Sequence, residues 1–266
     1  MARRRRQYLY LLPNSVTGLS LFLGLWSIML VIDAMRDSAA QALMIAAWWV
    51  ILASLIDGLD GQVARMTGTT SNFGIQFDSL ADVVTFGLAP AMILYAVIFP
   101  WNSSVATGVA ATYAICGAVR LARFNIGASP TPKKKAFQGL PIPAAAGMVV
   151  SLILCHGHIE RLLGTDTTRR LLPIVALVAA YLMISNMRFR TFQELAFRSE
   201  RTIKTATVQV LAFIVLMAAI ILMPHEILAL LVFGGYVIYS VTAALAWRWR
   251  LARHPLEQEQ DKENEV

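Results

Sequence analysis

The chain has 266 residues, 57% of them hydrophobic and only 15% charged, with 23 Lys and Arg against 16 Asp and Glu for a formal net charge of +7. That balance argues against a soluble globular domain and describes an all-α integral membrane protein. The basic residues sit beside apolar runs, not on one soluble face, so anionic lipid headgroups and not nucleic acid are their expected partners.

In chain order, residues 1–12 form a basic juxtamembrane segment, with Arg3 to Arg6 ahead of an apolar run over 13–32 that is long enough to span a bilayer. It lacks a small-residue cleavage site and reads as a retained span, not a signal peptide. Within it, Ser20 and Gly24 form a small-xxx-small pair, a signal for close helix packing. A polar turn at Asp33, Arg36 and Asp37 leads to a second span, Ala40 to Ile56, which runs directly into Asp57. After a turn at Thr67 to Asn72 the chain re-enters at Phe73 and continues apolar to about Phe99, where Pro90 should kink the helix unless a neighbour satisfies the carbonyl it frees. A fourth span follows Trp101 and ends near Arg120. A polar, Pro-rich and Lys-rich loop, Ser129 to Gln138, precedes a fifth span from Pro141 to Cys155. The remaining expected spans are Leu171 to Met187, Ala206 to Met223 and Ile227 to Trp247, making eight. Residues 13–190 then form a six-span core, 191–248 carry two further C-terminal spans, and 249–266 are a charged tail. Cys116 and Cys155 lie in separate apolar stretches, which leaves no disulfide framework and no thiol metal site.

With the amino terminus inside, 19 of the 23 Lys and Arg fall in inner segments, and only Arg36, Arg161, Arg169 and Arg170 fall outside. This places both termini, and the acidic stretch that begins at Asp57, on the cytoplasmic side of the cell inner membrane.

That acidic stretch is the chemical centre of the sequence. Asp57 and Asp60 are spaced i,i+3 and Asp78 and Asp82 i,i+4, so each pair shares a helix face, and packing of the two helices would bring four carboxylates together. Four like charges in an apolar setting require protons or cations among them. Two divalent ions would balance them in formal charge. All-oxygen donors without Cys or His favour Mg2+ or Mn2+, with Ca2+ as a further occupant, over Zn2+. Gly58, Gly61 and Ala64 keep the helix face low for the approach of a bulky ligand.

The stretch reads Asp-x-x-Asp-Gly-x-x-Ala-Arg, eight residues, then Gly-x-x-x-Asp-x-x-x-Asp, from Asp57 to Asp82 without a mismatch. It resembles the signature of the CDP-alcohol phosphotransferases, membrane enzymes that make phospholipids from CDP-linked lipids. Leu12-Pro13-Asn14-Ser15-Val16-Thr17, Phe77 to Asp82 leading into Phe86 to Ala91, Arg120-Leu121-Ala122-Arg123-Phe124-Asn125 and Gly139 to Ala144 make the chain most similar to the bacterial-type phosphatidylserine synthase branch, over roughly residues 8–190.

The resemblance implies CDP-diacylglycerol as donor, L-serine as acceptor, CMP as the released product and a homodimer as the assembly. By match to the motif it implies Asp57, Asp60 and Asp78 as metal ligands, and Asp82 as the general base that can also touch a metal. It further implies Asn14, Thr17, Asp57, Gly61, Ala64 and Arg65 around the nucleotide. Arg120, Arg123 and Asn125 are expected at the acceptor, with Arg chosen because its planar fork can bind a carboxylate bidentately. Helix-end anchoring is the competing reading of Arg120 and Arg123. Glycerol phosphate or inositol phosphate is the alternative acceptor, and a metal-ion transporter is the alternative from another functional class.

Overall fold

The computed structural model describes residues 2–37, 39–67, 72–127, 139–187 and 224–253, and every regular element among them is helical. The first helix, α1 (Ala2–Asp37), already runs through the basic segment and into the first span, and α2 (Ala40–Thr67) returns against it. Two buried bonds fix their register: Ser27 Oγ donates to the Ala46 carbonyl at 2.9 Å and Ser20 Oγ to the Ala53 carbonyl at 3.4 Å. Seven residues up one helix match seven down the other, so the pair is antiparallel and the small face at Ser20 is used for packing.

The third span is built from three pieces, α3 (Asn72–Asp82), a π-helical segment (Val83–Leu88) and α4 (Ala89–Ile98). Pro90 explains the break in geometry. It has no N–H, and the carbonyl four residues earlier, that of Phe86, loses its ordinary helical partner. The Tyr113 hydroxyl donates to that carbonyl at 3.3 Å, while the Ala89 N–H reaches back five residues to Val84. Both Phe86 and Tyr113 are fully buried. The expected neighbour for the freed carbonyl is therefore Tyr113, and the helix accommodates Pro90 by widening locally.

Gly24 lets α1 lie against the π segment: a Cβ there would sit 2.6 Å from Thr85 Oγ1 and 2.8 Å from Thr85 Cα. Thr85 Oγ1 in turn donates to the Ser20 carbonyl at 3.3 Å. The third span is the central staff of the bundle, with 61% of its apolar window buried against 28% for the span in α2. Side chains such as Phe22, Trp26, Met29 and Ile45 point outward on the peripheral helices, as a lipid-facing surface requires.

A short turn capped by Asn102, whose Oδ1 accepts from the Val105 N–H at 3.0 Å, starts α5 (Ser103–Gly127). Then come α6 (Ile142–Leu154), α7 (His156–Leu163), α8 (Thr165–Ile184) and α9 (His225–Arg253). Gly139, at φ +84°, turns the chain into α6; its N–H bonds the Met187 carbonyl at 2.9 Å and that of Leu140 the Leu182 carbonyl at 3.0 Å.

Among the described residues, six helices are long and apolar enough to cross a membrane: Asn14–Asp37, Ala40–Gly58, Phe73–Ile98, Ser103–Ile126, Thr165–Ile184 and His225–Ala246. The chain is thus a multi-pass membrane protein. The expected fifth span, Pro141 to Cys155, falls on α6, which alone is short. Its helix has 13 residues, about 20 Å at 1.5 Å per residue, too short for a bilayer core of about 30 Å. It bends by 59° into α7, and the count becomes seven if that bent pair is one span. The expected sixth span begins six residues earlier than Leu171, at Thr165, and carries Pro173 inside the helix. The expected seventh span, 206–223, lies outside the described residues, as does the polar loop before Gly139.

Candidate active site

The antiparallel α1–α2 register carries Asp57 to the end of the bundle at which α1 begins. Continued beyond Ser20 and Ala53, the same register sets Thr17 and Asn14 at the level of residues 56–59. Thr17 is buried and Asn14 half-buried. Asp78 and Asp82 occupy the last turns of α3, immediately before the π segment, which is itself pinned to α1 through Thr85. Three elements thereby bring the carboxylates of Asp57, Asp78 and Asp82 together, and their oxygens lie within 4.8 Å of one another.

This is the spread of oxygens around one divalent cation with bonds of about 2.0–2.6 Å. Asp57 and Asp82 are also in direct side-chain hydrogen-bond contact, and both Asp57 and Asp78 act electrostatically on Asp82. Two carboxyl groups in such contact need a proton or a cation between them. The donor set, partly buried and all oxygen, fits a hard divalent cation. Asp60, Gly61, Ala64 and Arg65 are placed only as positions on the backbone of α2, since their side chains lie outside the described residues. Gly58 is exposed, with open space where a side chain would stand, so α2 is low at that position.

The three residues expected at the acceptor go separate ways. Arg120 is buried, at 9% exposure, and its charge acts on Asp82 and on Tyr236 of α9. Arg123 donates through Nη1 to the Ile184 carbonyl at 3.0 Å, a cation at the carboxyl end of α8. Asn125 bridges to α3, accepting from Ser79 Oγ at 3.1 Å and donating to Gln76 Oε1 at 3.4 Å. Ser79 is the neighbour of Asp78, so Asn125 holds the helix that carries the carboxylates. Of the three, Arg120 is the one shown in electrostatic contact with an aspartate, Asp82.

Tyr236 was not anticipated from sequence. Its signal was available: Tyr236 and Ser240 form a polar i,i+4 pair inside an otherwise apolar helix, and polar groups at membrane depth are costly unless used.

With this geometry in place, the comparisons agree. The family model described as CDP-alcohol phosphatidyltransferase matches residues 10–169. A Helicobacter pylori protein named CDP-diacylglycerol–serine O-phosphatidyltransferase is 37% identical over 88% of this chain and 90% of its own. A Mycobacterium leprae protein of the same name is 34% identical over 95% of this chain and 80% of its own. A Methanocaldococcus jannaschii protein of that name is 40% identical over 53% of this chain and 61% of its own. An aspartate cluster built by the family's motif, a match over more than half the chain and two relatives aligned over 80–90% of their own length lead to one assignment: the chain belongs to the CDP-alcohol phosphatidyltransferase family.

Proposed function

We propose that this protein transfers a phosphatidyl group from CDP-diacylglycerol to the hydroxyl of L-serine, giving phosphatidylserine and CMP. The observation that carries the reading is the convergence of Asp57, Asp78 and Asp82 at the end of a membrane helix bundle. The names of the relatives support the donor and the acceptor.

In this reading Asp57, Asp60, Asp78 and Asp82 hold two divalent cations, Mg2+ or Mn2+, with Ca2+ able to occupy the same oxygens. When bound, the ions supply charge neutralisation at the phosphorus and its attacking and leaving oxygens. The protein's own groups do the rest. Asp82 accepts the proton of the serine hydroxyl as that oxygen forms its bond to the phosphorus bearing the lipid. The bond from that phosphorus to the bridging oxygen breaks, and CMP leaves with the electron pair. Asn14, Thr17, Gly61, Ala64 and Arg65 line the nucleotide, and the low face of α2 admits the cytidine. Arg120 faces the acceptor carboxylate, while Arg123 and Asn125 hold α5 against α8 and α3 around it. The enzyme works as a homodimer in the cell inner membrane, with both termini and the site on the cytoplasmic side, where CDP-linked substrate and serine are supplied.

The test is acceptor competition. Purified full-length protein is given CDP-diacylglycerol and a divalent metal with L-serine, glycerol phosphate or inositol phosphate, and CMP and lipid products are measured. Serine alone should drive CMP release, and excess of either phosphate should not divert the product. Release driven by a phosphorylated acceptor and not by serine would overturn the assignment. A dianionic acceptor needs several cations at the pocket, whereas a zwitterion needs one for its carboxylate and oxygen atoms for its ammonium.

A further inference from the structure

The last helix lies outside the 10–169 match to the family model, yet it packs into the bundle core. Its buried face, Ala229, Tyr236, Val237, Ser240 and Ala244, has helical spacing, and an isolated lipid-facing span would have no use for two polar groups there. Two contacts fix its register against α6. Cys155 Sγ lies 3.0 Å from the Glu226 carbonyl, and a Cβ on Gly147 would meet the Phe233 ring. The helices are antiparallel, and one and two turns beyond Phe233 the same register sets Tyr236 at the level of Ala144, in the first turn of α6, and Ser240 at the level of Leu140 and Pro141, just before it.

Arg120 arrives at that depth from the other side. Gly117 of α5 faces Ile142, since a Cβ there would sit 2.8 Å from Ile142 Cδ1, and Arg120 is one turn further along. It is within electrostatic reach of Tyr236 as well as of Asp82, so it stands between α9 and the carboxylates. Two polar atoms at this level are buried without a hydrogen-bond partner, Arg120 Nε and Ser240 Oγ, and Ser240 is only 1% exposed. Buried donors and acceptors are nearly always paired, so an orphaned guanidinium nitrogen and an orphaned hydroxyl at one depth mark a place where a polar ligand completes the bonding.

We propose that α9 walls the acceptor subsite: Ser240 Oγ accepts from the ammonium of the amino-acid acceptor, and Tyr236 is a positioning residue that holds the Arg120 guanidinium for its carboxylate. This rests on the proposed transfer to an amino-acid hydroxyl and assigns part of its specificity to the last span. A hydroxyl oxygen suits an ammonium, and one guanidinium suits one carboxylate.

The experiment uses full-length protein in detergent or nanodiscs, once wild type has been shown to release CMP with serine; failure at that first step would overturn the proposed function and not the subsite. KM for serine, KM for CDP-diacylglycerol and kcat are then measured for Ser240→Ala, Tyr236→Phe and, as a control on the outward face of the same helix, Ile238→Ala. Serine binding is read separately, as the serine-dependent rise in Tm of each variant with CDP present. Ser240→Ala should raise the serine KM about three- to tenfold, the worth of one net hydrogen bond, with KM for the CDP-lipid unchanged and a smaller serine-dependent rise in Tm. Tyr236→Phe should raise the serine KM or lower kcat without changing nucleotide affinity, and Ile238→Ala should match wild type. If Tyr236→Phe does not insert, Ser240→Ala decides alone, because it removes one oxygen from a small side chain. Serine KM and Tm response within twofold of wild type in Ser240→Ala would overturn the proposal.

Discussion

Among individual residues, the aspartates differ by what surrounds them. Asp82 touches Asp57 and lies in the field of Asp78 and Arg120, a setting suited to exchanging a proton with a neighbouring hydroxyl. In the proposed reading Asp57, ten residues before the end of α2, is a metal ligand. Asp57→Asn removes a formal charge and a good ligand, and should lower CMP release by about two orders of magnitude or more while membrane expression is kept. Asp82→Asn keeps the volume but cannot take the proton, so turnover should fall far more than CDP affinity. Titrating CDP and measuring CMP release on one preparation separates the two roles. A parallel collapse of affinity and turnover in Asp82→Asn would make it chiefly a ligand. The pairing of Asp78 with Asp82 was legible in sequence because an i,i+4 spacing is a local property of a helix. Arg120, Arg123 and Asn125 were not separable, because which way each turns is decided by α8, α3 and α9, far away in the chain.

For the helices, the informative feature is the π segment between Asp82 and Pro90. Pro90 announced a freed carbonyl in the sequence, but the residue that answers it, Tyr113, is 27 positions from Phe86 and is fixed only when α5 packs on α4. Tyr113→Phe keeps the ring in the core and strands the Phe86 carbonyl. A buried polar group left unsatisfied costs about 1–3 kcal/mol. Unfolding of the variant in detergent should show a loss of that size, with the CDP-lipid KM nearly unchanged; wild-type stability would mean that the carbonyl finds another donor. The bend at Cys155 was illegible for a related reason. Pro141 to Cys155 is apolar enough to read as a span, and its shortness emerges only because the chain turns at His156, where the ring stacks on Trp101 and Nδ1 meets Glu160 at 3.6 Å.

As a whole molecule, the positive-inside bias and the bundle agree on which elements share an end. Asp57, the carboxyl end of α3, Gly139 and the carboxyl end of α8 all gather there. The opposite end carries Trp101, with Arg169 5.6 Å from its ring centroid, and Glu160. A reporter fused after Met1 and another fused after Val266 should both be active only in the cytoplasm, and a cysteine placed at Asn102 should label only from outside. Labelling of position 102 from the cytoplasmic side would invert the orientation. The six apolar helices among the described residues all fall on spans that hydropathy marks in the sequence. The place of the last one against α6 could not, because its contacts, Glu226 with Cys155 and Phe233 with Gly147, join residues more than 70 apart.

The central claim is that the aspartate cluster, once loaded with a divalent cation, moves a phosphatidyl group onto serine. The most direct measurement follows CMP and phosphatidylserine together, formed from CDP-diacylglycerol and L-serine by purified full-length protein with Mg2+ or Mn2+ and after chelation. Equal amounts of the two products are expected, dependent on serine and lost on chelation, with Asp57→Asn inactive throughout. Phosphatidylserine formed at the wild-type rate by Asp57→Asn, or after chelation, would contradict it.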